Sequence, residues 1–284
     1  MSKSWLQRAL LAGAWAGGRS RLAAPIDLGI PGSQGQDVAD WILALGALGL
    51  CVLPDAESGG RQWILEGAGF DGLPHCTVAL GESGTAARLA TALLAYAGQP
   101  GHNRRLGVSG TLLQRRSPAL VACLREHGIS VRTAGPGTWP LEVVSGELPA
   151  ALVLRDPGSS QEVSALLFAI AFEGGRELRV EGPIPSRPYV DMTLAVLAGW
   201  GVAFDVQEGC TTRFVRGTGA PAPPDVFPLE CDASSAAVAW AGGLLAGIPV
   251  RVGGIPKSSL QGDLAMVEHL AKVGVAVDFD RDGG

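Results

Sequence analysis

The stretch Leu124-Arg125-Glu126-His127-Gly128-Ile129-Ser130-Val131 reads as a helix that stops on a glycine and passes directly into a strand. Apolar residues lead up to Gly128 and a β-prone run follows, the pattern of a left-handed helix C-cap. The same shape occurs in Leu45-Gly46-Ala47-Leu48-Gly49-Leu50-Cys51-Val52, Leu197-Ala198-Gly199-Trp200-Gly201-Val202-Ala203-Phe204 and Leu270-Ala271-Lys272-Val273-Gly274-Val275-Ala276-Val277. Gly49, Gly128, Gly201 and Gly274 therefore recur every 73 to 79 residues. One such pattern arises easily by chance; four in register define a repeat. The period is too long for a solenoid and fits compact α/β subdomains arranged around a common axis.

A second series precedes the first. Ser2-Lys3-Ser4, Gly81-Glu82-Ser83-Gly84-Thr85, Gly158-Ser159-Ser160-Gln161 and Asp232-Ala233-Ser234-Ser235 each introduce a long Ala/Leu-rich helix, the third running from Glu162 to Phe172. These helices are apolar on nearly every face, so they are expected to be buried. Each repeat then holds one buried helix, one surface helix and the strands between them. Proline density at Thr218-Gly219-Ala220-Pro221-Ala222-Pro223-Pro224 blocks both helix and inner strand and marks a connector. The chain divides on this reading into residues 1–217 with three repeats, a linker at 218–228, and residues 229–284 with a fourth. A long surface loop inside one domain is the alternative.

Composition narrows the function classes. The 284 residues, 47% of them hydrophobic, supply a core for one large domain or two smaller ones. A formal charge of −5 argues against wholesale binding to nucleic acid and leaves room for a local basic cleft. Cys51, Cys76, Cys123, Cys210 and Cys231 show no paired or metal-like spacing, which fits free thiols in a reducing, cytoplasmic setting. The four histidines are scattered, so no structural metal is expected. Lys3 and Arg8 ahead of Ala9-Leu10-Leu11-Ala12-Gly13-Ala14-Trp15-Ala16 superficially resemble a secretory signal, but the apolar run is short and broken by glycine. No segment has the length of a membrane-spanning helix.

Two polar motifs point to an anion. Gly158-Ser159-Ser160-Gln161 sets hydroxyls and free backbone N–H groups at the positive end of a helix dipole. Ser186-Arg187-Pro188-Tyr189-Val190-Asp191 places Ser186 and Arg187 just before a proline that starts another helix. A small substrate carrying hydroxyls and a phosphate suits the pair.

The order of motifs resembles one family. Ser2-Lys3-Ser4-x-x-x-Arg8, Gly81-x-x-Gly84-Thr85-x-x-Arg88, Ser159-Ser160-Gln161, Ser186-Arg187-Pro188-Tyr189-x-Asp191, Asp232-Ala233-Ser234-Ser235-Ala236 and Ser259-Leu260-Gln261-Gly262-Asp263 together resemble EPSP synthase (3-phosphoshikimate 1-carboxyvinyltransferase) across essentially the whole chain. The resemblance implies an α/β fold, the inside-out α/β barrel of the enolpyruvyl transferases. Such a protein has two globular domains of three βαβαββ repeats each, with the active site in the cleft between them. The four repeats here then correspond to one domain and the first repeat of the other.

The implied reaction moves the enolpyruvyl group of phosphoenolpyruvate to the 5-hydroxyl of shikimate 3-phosphate, on the route to chorismate and the aromatic amino acids, with no metal or organic cofactor. By resemblance, Lys3 contacts both substrates and assists proton transfer. Ser4, Arg8, Ser159, Ser160, Gln161 and Ser186 hold shikimate 3-phosphate, while Gly84, with Thr85 beside it, and Gln161 receive phosphoenolpyruvate. Tyr189 lies near the ring and Arg187 adds positive charge. Asp232, Ser234 and Ser235 are expected to cap a helix rather than take part in chemistry. Caps, turns and surface ion pairs remain the structural alternatives for the others.

The chain also departs from the family. Glu82 stands where the family's Gly-Asn-Ala-Gly-Thr loop has asparagine, and a carboxylate there repels anions unless it is protonated or turned away. The family's Arg-Pro pair appears as Ser117-Pro118, with Arg115 and Arg116 upstream as candidate replacements. The family's general-base aspartate, its Lys-Glu pair and its later cationic ligands have no counterpart, nor does the strand before the first motif. An incomplete sequence and a degenerate homologue both fit, and the 284-residue chain alone is expected to transfer little. Three functions stay open: the enzyme, a diverged binder of a phosphorylated ring that performs no transfer, and UDP-N-acetylglucosamine enolpyruvyl transferase. The last typically has Lys-Asn at Lys3-Ser4 and a reactive-cysteine loop at Thr111 to Arg116. Expected partners are the two small substrates, without nucleic acid or membrane, and a partner chain if the truncation is real.

Overall fold

Successive repeats of helix and strand build the computed structural model, which describes residues 1–26, 35–69, 73, 75–171 and 173–278. The first repeat contributes α1 (Lys3–Ala16), β1 (Gly18–Ala23), α2 (Gln36–Gly46), β2 (Cys51–Pro54) and β3 (Gln62–Gly67). The second runs β4 (Cys76–Ala79), α3 (Gly84–Tyr96), β5 (Asn103–Gly107), α4 (Pro118–Glu126), β6 (Ser130–Thr133) and β7 (Leu141–Val144). The third runs β8 (Ala151–Arg155), α5 (Ser160–Ala171), β9 (Glu177–Glu181), α6 (Pro188–Gly199), β10 (Phe204–Gln207) and β11 (Thr211–Arg216). After these come β12 (Val226–Pro228), α7 (Ala233–Ala246) and α8 (Met266–Lys272).

The glycine stops are built alike. At the end of α4, Ile129 N–H donates to the Leu124 carbonyl (2.9 Å) and Gly128 N–H to that of Arg125 (3.2 Å), a Schellman turn. The long bond recurs from Leu50 to Leu45 (3.0 Å), Val202 to Leu197 (2.9 Å) and Val275 to Leu270 (3.0 Å). Gly49, Gly128, Gly201 and Gly274 have φ of +100°, +87°, +75° and +83°, where a β-carbon is strained.

Among the described residues there are three sheets, each of four strands in one topology. In the second and third repeats, a parallel pair joined by a buried helix (β4–β5, β8–β9) continues into two antiparallel strands (β7–β6, β11–β10). Parallel neighbours need such a crossover. In the first repeat β1 pairs antiparallel with β3, and β3 with β2. Its parallel neighbour is β12, with Arg21 opposite Val226 and Ala23 opposite Pro228. Residues 226–228, inside the stretch read as linker, thus supply the strand that precedes the first motif in space.

Helices α1, α3 and α5 are buried on nearly every face. One hydrophobic cluster runs through all three repeats, from Trp5 to Leu229. Two buried arginines close the ends of these helices. Arg104 on β5 donates to the Leu94 carbonyl of α3 and to the Ala97 carbonyl just past its end (2.7 and 2.6 Å), and Arg216 on β11 donates to that of Ala171 in α5 (3.3 Å). The expectation of a buried fourth helix fails. Only Ala233, Ala236 and Gly243 of α7 are buried, whereas Val238 is 74% and Leu245 88% exposed. Helices α1, α3 and α5 lie within the large cluster; α7 rests on a cluster of its own, made by Ala233, Ala236 and Ile255. Phe172, expected as the last residue of α5, and residues 279–284 lie outside the described residues. Among the described residues no helix is long and apolar enough to cross a membrane.

Candidate functional site

The first turns of α1, α2, α3, α5 and α6 converge on one polar cavity of about 500 Å³. Lys3, Ser4, Arg8, Gly84, Thr85, Ser159, Ser160, Gln161, Ser186 and Tyr189 all line it, although they come from three repeats. Asp37, Ser83 and Thr111, which the sequence analysis did not single out, line it as well. Helix starts concentrate unpaired N–H donors and positive dipole ends, so the cavity is shaped for anionic groups.

Arg8 lies beneath the cavity and is almost fully buried. Its Nε donates to Thr193 Oγ1 (2.7 Å), Nη1 to the Ser4 carbonyl (2.9 Å), and Nη2 to the Tyr189 carbonyl (3.3 Å) and Ser164 Oγ (3.4 Å). Every one of these partners is neutral. Burial pushes the guanidinium down to about 10 from its usual 12.5, with Tyr189 opposing. A buried charge whose hydrogen-bonded partners are all neutral seeks an anion.

The α3 and α5 starts are cross-linked. Gln161 Nε2 donates to Thr85 Oγ1 (2.9 Å), and Gln161 Oε1 accepts from Arg88 Nη1 (2.9 Å). Arg88 also donates to the carbonyls of Gly84 (3.0 Å) and Arg116 (3.0 Å) and sits over the Trp139 ring. Burial, and the nearby Arg115 charge, lower the Arg88 pKa, while Glu162 opposes. A β-carbon on Gly84 would lie 2.9 Å from Arg88 Nη1 and 3.3 Å from Arg115 Nη1. Glycine here is what lets two guanidinium groups approach the helix start. Ser83 caps α3 through the Ala86 N–H (3.2 Å) and is itself held by Gln7 Nε2 (2.7 Å). In α5, Ser159 Oγ accepts from the Gln161 N–H (3.1 Å), and Glu162 accepts from the Gly158 N–H (2.8 Å).

At the rim, Lys3 Nζ pairs with Asp37 Oδ2 at 2.7 Å, both partly exposed. Ser186 has φ +50°, a left-handed conformation costing about 1 kcal/mol for a residue with a β-carbon. Asp156, ahead of the Gly158–Ser160 loop, shares it at +46°. Strain of this kind clusters at sites. Tyr189 OH donates to Asp263 Oδ2 (3.1 Å), which also accepts from Ser234 Oγ (2.9 Å), linking the last segment to the cavity. Burial first, then the Asp263 charge, push the Tyr189 phenol up. Asp232 caps α7 through the Ser235 N–H (2.7 Å).

Three expectations need correction or resolution. Arg187 adds no free positive charge, because it pairs with Asp191 and Glu208, each at 2.8 Å, and is absent from the cavity wall. The 187/191 spacing is the i,i+4 signal that could have revealed this. Of the two arginines ahead of Ser117, Arg115 lines the cavity and Arg116 does not. Ser117 is buried. Glu82 is turned toward Thr111, accepting from its N–H and its hydroxyl, each at 3.0 Å. Among the described residues no group of three His, Cys, Asp or Glu is placed to hold a metal ion.

Comparisons with known proteins converge. The family model for EPSP synthase (3-phosphoshikimate 1-carboxyvinyltransferase) matches residues 1–283. The 3-phosphoshikimate 1-carboxyvinyltransferase of Laribacter hongkongensis is 34% identical, over 99% of this chain and 64% of its own length. That of Bordetella petrii is 34% identical over 99% and 62%. Among solved structures, EPSP synthase from Acinetobacter baumannii superposes with a TM-score of 0.66 at 26% identity, over 83% of this chain and 49% of that one. The enolpyruvyl transferase NikO from Streptomyces tendae gives 0.67 at 19% identity, over 98% and 62%, a likeness of fold. The chain thus spans 62–64% of the length of those two curated relatives.

Proposed function

Because the chain belongs to the EPSP synthase (3-phosphoshikimate 1-carboxyvinyltransferase) family, whose fold it shares, we propose that its cavity binds shikimate 3-phosphate for enolpyruvyl transfer from phosphoenolpyruvate. The observation that carries this reading is the buried Arg8 guanidinium, hydrogen-bonded only to neutral groups, beneath a cavity ringed by helix N-termini. Ser159, Ser160 and Ser186 offer hydroxyls and backbone N–H groups to the phosphate. Ser4 and Gln161 take ring hydroxyls, with Arg8 supplying charge from below. Lys3 exchanges Asp37 for substrate, and Gly84, Thr85, Gln161 and Lys3 face phosphoenolpyruvate.

In the full reaction the 5-hydroxyl oxygen bonds to C2 of phosphoenolpyruvate while its methylene carbon takes a proton. The tetrahedral adduct then breaks its C–O bond to phosphate, and loss of the methyl proton restores the enol double bond. Positioned cations stabilise the charge that develops on the phosphate, and closure of a second domain excludes water. Residues 1–217 form the shikimate 3-phosphate half in this proposal, residues 229–284 begin the second domain, and the protein works in the cytoplasm, where its five free cysteines stay reduced.

Calorimetry with shikimate 3-phosphate at low salt tests the reading on the 284-residue chain. Binding is expected, and Ser160→Ala should weaken it by about 1–3 kcal/mol. No heat up to millimolar ligand would refute it.

A further inference from the structure

We propose that Glu82 is a positioning residue, bracing the turn at 110–114 so that the Arg115 guanidinium faces the second anion of the substrate pair. This rests on the reading of the cavity given above. A carboxylate on the wall of an anion site looks like a liability, but its Oε2 is engaged by Thr111 of the same wall. The 3-10 turn Gly110–Gln114 has Ser109 as its N-cap, and the Ser109 side chain makes no capping bond. Glu82 takes over that task. Its Oε2 accepts from both the N–H and the hydroxyl of Thr111, each at 3.0 Å.

Gly110 makes room for it. With φ +54°, a β-carbon at this position would lie 2.1 Å from the Glu82 carboxyl group. The Ser109 N–H donates to the Gly81 carbonyl (2.9 Å), tying the same two loops together a second time. The turn ends at Arg115, whose N–H donates to the Leu112 carbonyl (3.1 Å). On its other side the main chain is held where the Arg116 carbonyl accepts from Arg88 (3.0 Å) and where Arg116 bridges Thr138. Arg115 is therefore slung between two anchors, its guanidinium beside Gly84 and Arg88, and among the described residues it forms no ion pair. Arg115 is the one of these two guanidinium groups that lines the cavity, and a guanidinium there can take a phosphate or carboxylate.

The brace and simple electrostatics predict opposite signs. Removing a carboxylate from an anion site should tighten anion binding. If Glu82 acts through Arg115, Glu82→Ala instead weakens phosphoenolpyruvate binding by roughly three- to tenfold, the size of one ordinary hydrogen bond. Glu82→Gln keeps an oxygen that can accept both Thr111 bonds and should rescue. The probe is phosphoenolpyruvate, titrated with and without shikimate 3-phosphate, while phenylglyoxal labelling of Arg115 is read by mass spectrometry. Arg115 should label in the free chain, be protected by phosphoenolpyruvate in the unmodified and Glu82→Gln proteins, and lose protection in Glu82→Ala. Hydrogen exchange across residues 110–115 in the free proteins should rise in Glu82→Ala alone. In an Arg115→Ala background Glu82→Ala should no longer weaken binding. Tighter binding by Glu82→Ala, or unchanged exchange at 110–115, overturns the brace. A chain that binds shikimate 3-phosphate but leaves Arg115 unprotected overturns the brace alone; one that binds neither ligand overturns the cavity reading too.

Discussion

Arg8→Met should impair binding far more than folding. The guanidinium, pushed from 12.5 to about 10 by burial, carries about 3 kcal/mol held against its charged form. An anion seated above it relieves that burden, so about 3 kcal/mol is the ceiling of its contribution to affinity. The floor is an ordinary charge-assisted hydrogen bond, about 1.5 kcal/mol. Affinity for shikimate 3-phosphate should therefore fall by roughly 10- to 150-fold. Folding feels two opposed changes. The desolvated charge disappears, while the Ser4 and Tyr189 carbonyls and the Thr193 hydroxyl lose a donor. The urea midpoint should shift by no more than about 2 kcal/mol equivalent. The group stays charged below its lowered pKa, so its share of binding should be constant at neutral pH and fade as pH rises through about 10. Calorimetry at low salt, with inorganic phosphate as a second ligand, measures both effects. A variant that binds within threefold of the unmodified chain would refute the reasoning, since Arg8 would then not face the anion.

Arg104→Ala should destabilise the protein by about 3 kcal/mol in urea titration, because it strips a buried charge from the Leu94, Ala97 and Leu73 carbonyls; a loss under 1 kcal/mol would contradict the capping role. Glu177 is hydrogen-bonded by Arg213 (2.6 Å) and Arg179 (2.8 Å), which hold its carboxyl down at about 2. Its folded pKa lies below the unfolded one, so its stabilisation is present above pH 4.5 and disappears as pH falls toward 2. Glu177→Gln should lower stability at pH 6 by about 1 kcal/mol and flatten the acid limb of the pH–stability curve. Limited proteolysis should cut first between Thr218 and Asp225, yet the two pieces should co-elute through the β1–β12 pairing. A first cut within residues 80–200 would argue against the boundary.

The repeat was legible because its punctuation is stereochemical. Gly128 and its three equivalents adopt a conformation that penalises a β-carbon, so the chain must mark each stop with glycine. The cavity was partly legible for a related reason: Ser4, Gly84 and Ser160 open helices, and helix starts have local sequence signals. What depends on distant partners was hidden. Val226-Phe227-Pro228 looks like linker, and becomes a strand only because β1 leaves an edge open. Helix α7 has the composition of α1, but burial is decided by neighbours that composition does not encode. Asp37 and Thr111 are unremarkable in sequence and matter through Lys3 and Glu82.

The β1–β12 pairing also sets an order of events on the ribosome. Strand β1 leaves the tunnel early, but Val226, which lies opposite Arg21, emerges about 200 residues later. At the usual pace of translation that interval is roughly 10–40 s. The second and third sheets draw all their strands from nearby sequence, so each can close while the first still shows a bare edge. An open edge is a template for foreign strands. Nascent chains stalled before residue 226 are thus the species most prone to mispair and most in need of a chaperone, even though every residue lining the cavity has already been made.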